Sequence, residues 1–402
     1  MFLRRATELI SARHYVPIAM ALLLVGMGDA ISGPYAALFM ADKAHLSPLA
    51  LGSILTARAI TAITVAYFFG RWFDRTPSVV PLFLAFVGSI IGNGTIAFTT
   101  NYFVLLANAC IPMAMQASAF PQLFSLAKGH LDKQDPITAE RGVSLLRALW
   151  SVAWAVGPAV GAVIIVPYDF RGVFLTTALF GVIALVAIAG TGVRATKSES
   201  SIKIAPVSRW QAMRDAGFAA LALTLFHMAM FMGSIALSIS VTHDMGGGKE
   251  DVGHAYSLCA FLEVFVMMGF VTRPVDTKNP FWMAAGFVAF IAYFIAMAFA
   301  SSVTTVLAAQ ALRAVAIGIV GCLGIGYAQS VLQGRVGAAA AMFANSVNAG
   351  LLLSGLATGA WATAFGYRSM FGACAVLCAL GLLVLLLQPR APSPGLRHGP
   401  QT

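Results

Sequence analysis

The sequence predicts an all-α polytopic membrane protein, with twelve transmembrane helices in two six-helix pseudo-symmetric bundles. Three observations carry that prediction. Of 402 residues, 59% are hydrophobic and 10% charged. A soluble domain carries roughly 25% charged residues, so lipid must be the solvent for much of this chain's exterior. The apolar residues gather into runs of the length that crosses a bilayer, about 20 residues. The Lys and Arg residues between those runs fall almost entirely on one side.

The runs are 15–40, 48–70, 79–99, 102–127, 142–166, 173–193, 215–242, 252–272, 280–300, 303–330, 337–363 and 369–388. Marks as short as Thr100-Asn101 and Ser301-Ser302 separate neighbours, which predicts tight helical hairpins. The longest hydrophilic internal stretch follows the sixth run and divides the chain. The expected domains are a first bundle at 1–193, a cytoplasmic linker at 194–214, a second bundle at 215–390 and a cytoplasmic tail at 391–402. Lys197, Ser198, Glu199, Ser200, Ser201 and Lys203 suit a solvated linker.

Orientation follows from the basic residues. With the N-terminus inside, the inside segments hold 18 Lys and Arg (among them Arg4, Arg5, Arg71, Arg75, Lys128 and Arg335) and the outside loops hold Lys43, Arg171, Lys249 and Arg368, four in all. Both termini are therefore expected in the cytoplasm, with an even number of spans. A weak repeat supports two halves: Arg71-Trp72-Phe73-Asp74 after the second run has its counterpart 202 residues later in Arg273-Pro274-Val275-Asp276 after the eighth. Parallel six-helix halves are a known transporter plan.

The formal charge of +10 does not mark a nucleic-acid binder, because the basic residues are scattered between apolar runs and form no stripe. Cys110, Cys259, Cys322, Cys374 and Cys378 all sit in apolar segments without C-x-x-C or ligand-spaced His, and read as small buried hydrophobes. Arg4 and Arg5 precede an apolar run that carries Asp29 and has no persuasive cleavage site, which reads as an anchor and not a cleaved leader.

Ionisable groups inside a span are costly and are functional candidates by default. Six remain once the loops are removed: Asp29, Arg58, Arg147, His227, Glu263 and Arg313. No nucleophile elbow, H-E-x-x-H or P-loop sequence accompanies them, so an enzyme is not indicated. A primary pump would need a nucleotide domain. A secondary transporter needs only a central cavity and groups that change protonation state, and fits better.

Glu263 is the first candidate for a proton carrier, since a carboxyl held among apolar groups can load and release near neutral pH. Its alternative is a static ion pair with Arg58 or Arg313. Asp29, followed by the helix-weakening Ser32-Gly33-Pro34, is a second titrating candidate or else a structural partner for an Arg. His227 could relay protons or simply satisfy a hydrogen bond. Arg147, Trp150 and Trp154 are spaced three and four apart and share one helix face. A guanidinium beside indoles suits a polyhydroxylated ligand, though Trp also gathers at membrane interfaces. Asn108, Gln116, Gln122, Gln310, Asn345 and Asn348 complete the polar candidates, or link helices.

Two motifs, with the two-half plan, resemble the major facilitator superfamily. Gly70-Arg71-Trp72-Phe73-Asp74-Arg75 is similar to its G-x-x-x-D-R-x-G loop signature at Gly70, Asp74 and Arg75, while Pro77, Ser78 and Val79 depart from it. Gly157-Pro158-Ala159-Val160-Gly161 is similar to the G-P-x-x-G core associated with exporters and antiporters, with Ala153 and Ala162 in place of flanking Gly. The resemblance implies gating roles for Gly70, Asp74, Arg75, Gly157 and Pro158.

Further segments resemble the sugar efflux transporter family of bacterial inner membranes. They are Pro121-Gln122-Leu123-Phe124-Ser125-Leu126-Ala127, Arg147-Ala148 with Ala153-Trp154, Leu262-Glu263, and Gly334-Arg335-Val336-Gly337-Ala338-Ala339 leading into Phe343-Ala344-Asn345-Ser346. Asp29, Arg58 and Arg313 are not tied to that pattern by any of these segments, which leaves the substrate open. The resemblance implies proton-coupled efflux of small sugars or glycosides by a multi-pass protein of the bacterial inner membrane, not an enzyme. Glu263, Asp29 and His227 would handle protons. Arg147, Trp150, Trp154, Gln122, Asn108, Arg313, Asn345 and Arg58 would face substrate. No cofactor or metal is expected beyond a proton gradient. The expected partners are a small-molecule substrate and the lipid bilayer, with no nucleic acid, for a monomer. Three intramembrane Arg against two carboxylates leave open an exporter of drugs or organic anions.

Overall fold

The computed structural model describes residues 14–131, 136–193, 209–277, 279–332 and 335–388. Among them every regular element is a helix: α1 (Tyr15–Asp42), α2 (Pro48–Arg75), α3 (Val80–Phe98), α4 (Tyr102–Cys110), α5 (Pro112–Gln116), α6 (Ala119–Leu131), α7 (Pro136–Ala189), α8 (Arg209–His243), α9 (Lys249–Thr272), α10 (Pro280–Phe299), α11 (Val303–Val331), α12 (Val336–Phe365) and α13 (Met370–Leu386). Most of the expected linker, 194–208, and the tail 391–402 lie outside the described residues. The last six expected linker residues are already helical, because α8 begins at Arg209.

Local chemistry sets the helix starts. Ser47 caps α2 by accepting from the Ala50 N–H, with Pro48 at the first position, where its missing N–H costs nothing. Asn101, Asn279 and Ser302 cap α4, α10 and α11 in the same way. The hairpins expected at Thr100-Asn101 and Ser301-Ser302 are the short turns between α3 and α4 and between α10 and α11.

Among the described residues ten helices are long and apolar enough to cross a membrane, and Met370–Leu386 is a shorter apolar one. One of the ten, Thr138–Ala189, spans 52 residues, about twice what a bilayer needs. It is interrupted at Asp169, whose φ of 52° and ψ of −165° are not helical. Its two arms run back along α1. Trp150, Gly157 and Gly161 meet Gly26, Ala30 and Tyr35 on one arm, while Phe174 meets Phe39 and Thr177 meets Gly28 on the other. A count of twelve spans takes these arms separately and includes α13.

The run 102–127, expected as one helix, is broken twice. Ile111, at φ −115° and ψ −78°, ends α4, and Ala117-Ser118 separates α5 from α6. Pro112 has no N–H to give to Asn108 and crowds the preceding turn, which accounts for the first break. Pairing is not lost there: the Ile111 N–H reaches the Ala107 carbonyl, and the Gln122 N–H the Ser118 carbonyl. Irregular backbone is tolerated at membrane depth only where protein or a cavity surrounds it. Here α5 packs on Gly88 of α3, whose missing side chain admits the Pro112 carbonyl.

The first bundle packs α1 between the arms of α7 and sets α3 against α7 and α5. The second packs α8 on α12 and α13, and α10 on α11 and α13. Its core is aromatic: Phe226, Phe287, Phe290 and Phe294 are fully buried and pack ring on ring.

The bundles touch along α2 with α12, α7 with α9, and α1 with α8, and they touch tightly at one end. There Gly52 faces Gly355 and Gly359 backbone to backbone, and Gly253 faces the Pro158 carbonyl. Ser257 Oγ donates to the Ala155 carbonyl at 2.5 Å, and His243 Nε2 lies 2.7 Å from Asp42 Oδ1. Lys249 Nζ reaches Asp169 Oδ1 at 2.6 Å, and Lys43 Nζ the other oxygen at 3.3 Å. Burial tends to raise the Asp169 carboxyl, but the Lys249 and Lys43 partners and the Phe170 N–H outweigh it and hold it below the usual carboxylate range. Toward the opposite end the facing helices diverge: Tyr67, Phe68, Phe265, Met268, Val271 and Asn345 are exposed.

Candidate functional site

Where the bundles begin to part, they enclose a cavity of about 410 Å³. That lies within the roughly 300–1,000 Å³ usual for small-molecule sites. Both bundles supply its wall. Asp29, Ser32 and Gly33 come from α1, Arg58 from α2, Asn108 and Gln116 from the broken fourth segment, and Trp154 from α7. Ser234, Ser238, Tyr256 and Ser354 face them from α8, α9 and α12.

The polar groups of the first bundle form a chain. Asn93 Nδ2 donates to Gln116 Oε1 at 3.0 Å, and Gln116 Nε2 donates to Asp29 Oδ1 at 2.6 Å. Asn93 and Gln116 are buried, so the chain fixes the orientation of the Asp29 carboxyl. The break at Ile111 makes this possible by bringing Gln116 into the bundle on the separate short helix α5. Arg58 approaches Asp29 closely enough to interact electrostatically, yet the two form no ion pair within 4 Å.

On the second bundle Arg313 is buried behind the cavity wall. Its Nη2 donates to Ser234 Oγ at 2.9 Å and its Nη1 to Gln310 Oε1 at 3.4 Å. The guanidinium carbon lies 4.7 Å from the centre of the Tyr256 ring, whose hydroxyl donates to the Ser234 carbonyl at 2.8 Å. A charge held this deep needs such partners, and through Ser234 and Tyr256 it reaches the cavity surface.

The edge of the Trp154 ring reaches Gly33, within 3.7 Å of where a Cβ there would stand. The same Trp154, with Trp150, also lines a second cavity of about 250 Å³ between α7 and α9. Glu263 is in that second wall and not in the central one. Trp150 is held by packing on Phe120, with ring centres 4.4 Å apart.

The structure thus gathers Asp29, Arg58, Asn108, Gln116 and Trp154 around one cavity, and Glu263, Trp150 and Trp154 around the other. Arg313 sits one shell behind. It leaves other candidates apart. Arg147 is exposed and lines neither cavity, because the face it shares with Trp150 and Trp154 is broad enough for its own side chain to point outward. Asn345 and Asn348 are exposed on α12. Gln122 is buried within the first bundle. His227 is buried with Nδ1 2.7 Å from the Leu223 carbonyl and its ring edge-on to Phe343.

Among the motif residues, Gly157 lies against Ala30 and Pro158 presents its carbonyl to Gly253. Gly70 has open space around it and Arg75 is exposed. The side chain of Asp74 is outside what the structure describes. Reasoning from sequence missed Asn93, Ser234, Ser238 and Tyr256. Tyr256 carried a usable signal, since Tyr256, Cys259 and Glu263 are spaced three and four apart on α9 and share a face.

Comparison with known proteins agrees with this architecture. The family model of the Major Facilitator Superfamily matches residues 18–344. A Deinococcus radiodurans protein named provisionally as a sugar efflux transporter is 31% identical over 389 residues, covering 94% of this chain and 99% of that one. Sugar efflux transporter A of Escherichia coli is 25% identical over 380 residues, covering 92% and 95%. A crystal structure of a variant of the nucleoside transporter NupG superposes with a TM-score of 0.77 at 12% identity, covering 94% of this chain and all of that one, which speaks to the fold alone. With a family model matched over most of its length and full-length relatives, the chain belongs to the major facilitator superfamily and is a membrane transporter, not an enzyme.

Proposed function

We propose that the protein exports small sugars or glycosides in exchange for protons, by rocking its two bundles about the central cavity. The observation that carries this reading is the composition of that cavity. One indole, that of Trp154, lines it together with the hydroxyls of Ser32, Ser234, Ser238, Tyr256 and Ser354, the Asp29–Gln116 pair and Arg58. A sugar has an apolar ring face and a rim of hydroxyls that both donate and accept. An aromatic platform with mixed donors and acceptors answers both. The names of the relatives favour the same substrate class.

Proton coupling rests on Asp29 and Glu263, the two carboxyls within the spans that line cavities between the bundles. Contact at one end and divergence at the other is what one side of an alternating cycle requires. In this reading the chain lies in a bacterial inner membrane with both termini in the cytoplasm, acts as a monomer and needs only the proton gradient.

The test is transport by purified protein in proteoliposomes with an imposed proton gradient and a panel of radiolabelled sugars. Gradient-dependent movement of a sugar, abolished in Asp29→Asn or Glu263→Gln, is expected. Folded protein that moves none would reject the sugar assignment. A second reading, export of organic anions, is favoured by Arg58, which lines the cavity without an ion pair, with Arg313 buried behind it. Competition between neutral sugars and anions in the same vesicles separates the two.

A further inference from the structure

The second cavity has a composition of its own. Its indoles, Trp150 and Trp154, come from α7 of the first bundle, while Glu263, Val264 and Met267 come from α9 of the second. It sits in the fork where these helices part, just beyond the Ser257–Ala155 hydrogen bond. Glu263 makes no hydrogen bond and no ion pair within 4 Å in the described structure. Arg313 lies within electrostatic reach, but its donors go to Ser234 and Gln310 and its face to Tyr256.

A carboxylate facing a largely apolar cavity is costly unless something positive shares it. Among the described residues no basic side chain comes within ion-pair distance of it, Arg313 being turned to other partners. Two indoles beside it offer faces that attract cations, and a Met thioether supplies a soft wall. Polyhydroxylated or anionic ligands fit poorly, since apart from Ser151 the wall offers no donor but an indole N–H. The exposed flank of α9 beside it is apolar, with Phe261, Phe265 and Met268. A ligand arriving across it must be lipophilic. The cavity, about 250 Å³, limits it to a small molecule.

The geometry points to a binding site for a small lipophilic organic cation, an alkylated or arylalkyl ammonium, held between the bundles by Glu263 and the indoles of Trp150 and Trp154. This goes beyond the proposed sugar transport and does not depend on it. Because the anion comes from one bundle and the aromatics from the other, a bound cation favours the arrangement in which α7 and α9 lie this close.

The test is calorimetric titration of the purified full chain with benzyltrimethylammonium, and with neutral N-benzylacetamide for comparison, without sugar or gradient. The cation binds and the amide does not. Glu263→Gln weakens the cation about tenfold or more, Trp150→Leu weakens it several-fold, and Glu263→Asp, which keeps the charge, stays near the parent. Absence of cation binding to the parent, equal binding of the amide, or unchanged affinity in folded Glu263→Gln overturns the proposal. If Glu263→Gln does not fold, equal affinity in Trp150→Leu and the parent does so. The readout involves no transport, so its failure is separate from failure of the sugar reading.

Discussion

The seam between α2 and α12 makes a sharp prediction for Gly52→Ala. A Cβ at residue 52 would lie 2.6 Å from the Gly355 carbonyl oxygen, 2.8 Å from Gly359 Cα and 2.9 Å from its nitrogen. Ordinary contact begins at 3.4 Å, so the shortest approach falls short by about 0.8 Å. All three opposing atoms are backbone, and no side chain can rotate away. The helices must separate. Overpacking of this kind costs about 1–3 kcal/mol. If the bundles rock, the strain is absent from the arrangement in which this seam is open, and the whole cost appears as a population shift of about 5- to 150-fold.

The assay is electron–electron distance measurement between spin labels at Leu49→Cys and Phe365→Cys, both exposed near the seam, in a background without the five native cysteines. Gly52→Ala should move the distribution to longer distances. Gly94→Ala, on α3 with open space around it, should leave it unchanged. An unaltered distribution in Gly52→Ala, with an unaltered melting temperature, would refute the argument.

Three further outcomes follow from the same contacts. Asp169→Asn removes two exposed pairs worth at most about 1 kcal/mol each, so it should lower stability slightly. Because the folded carboxyl is held below its ordinary range, its contribution is present above about pH 4 and is lost only as pH falls through the lowered value. The difference in unfolding free energy between parent and variant should therefore stay flat from about pH 5 to 8, and a difference that changes across that window counts against the assignment. Gln116→Leu strips a partner from Asp29, at about 1–3 kcal/mol for a group left unsatisfied, and one from Asn93, whose amide keeps its bond to the Ser89 carbonyl. A melting temperature no lower than the parent's would mean that the chain of amides holds nothing. Trp154→Ala should weaken sugar binding about tenfold or more while Arg147→Ala leaves it unchanged, by equilibrium binding; the reverse order would move the site out of the central cavity.

Much of the architecture was legible because a bilayer imposes one requirement on every span, and twenty apolar residues satisfy it visibly. The fourth segment shows the limit. Hydropathy stays high straight across Ile111, so the break was hidden, although Pro112 was its cause in plain sight. The site divided along similar lines. Asp29, Arg58 and Glu263 stood out because charge is rare inside a span. Asn93, Ser234 and Tyr256 did not, because a neutral polar group that lines a cavity has the same sequence signature as one that joins two helices. Spacing placed Arg147 on the face of Trp150 and Trp154, but it does not say where the end of a long side chain goes. Nor could the sequence pair charges: Asp42 finds His243 across 201 residues, a match that only the docking of α1 on α8 creates.

Asp169 joins the two arms of α7 with a positive φ and an extended ψ, a backbone conformation that glycine adopts at little cost and other residues adopt at about 1–3 kcal/mol. Glycine would make the more relaxed corner. What it could not do is offer two carboxylate oxygens to Lys43 and Lys249. The corner thus trades local ease for a tie to the other bundle through Lys249 in this arrangement, and two substitutions separate the terms. Asparagine keeps the tension and loses the tie, whereas glycine loses both, so the more stable of the two variants should be the one that is less like aspartate.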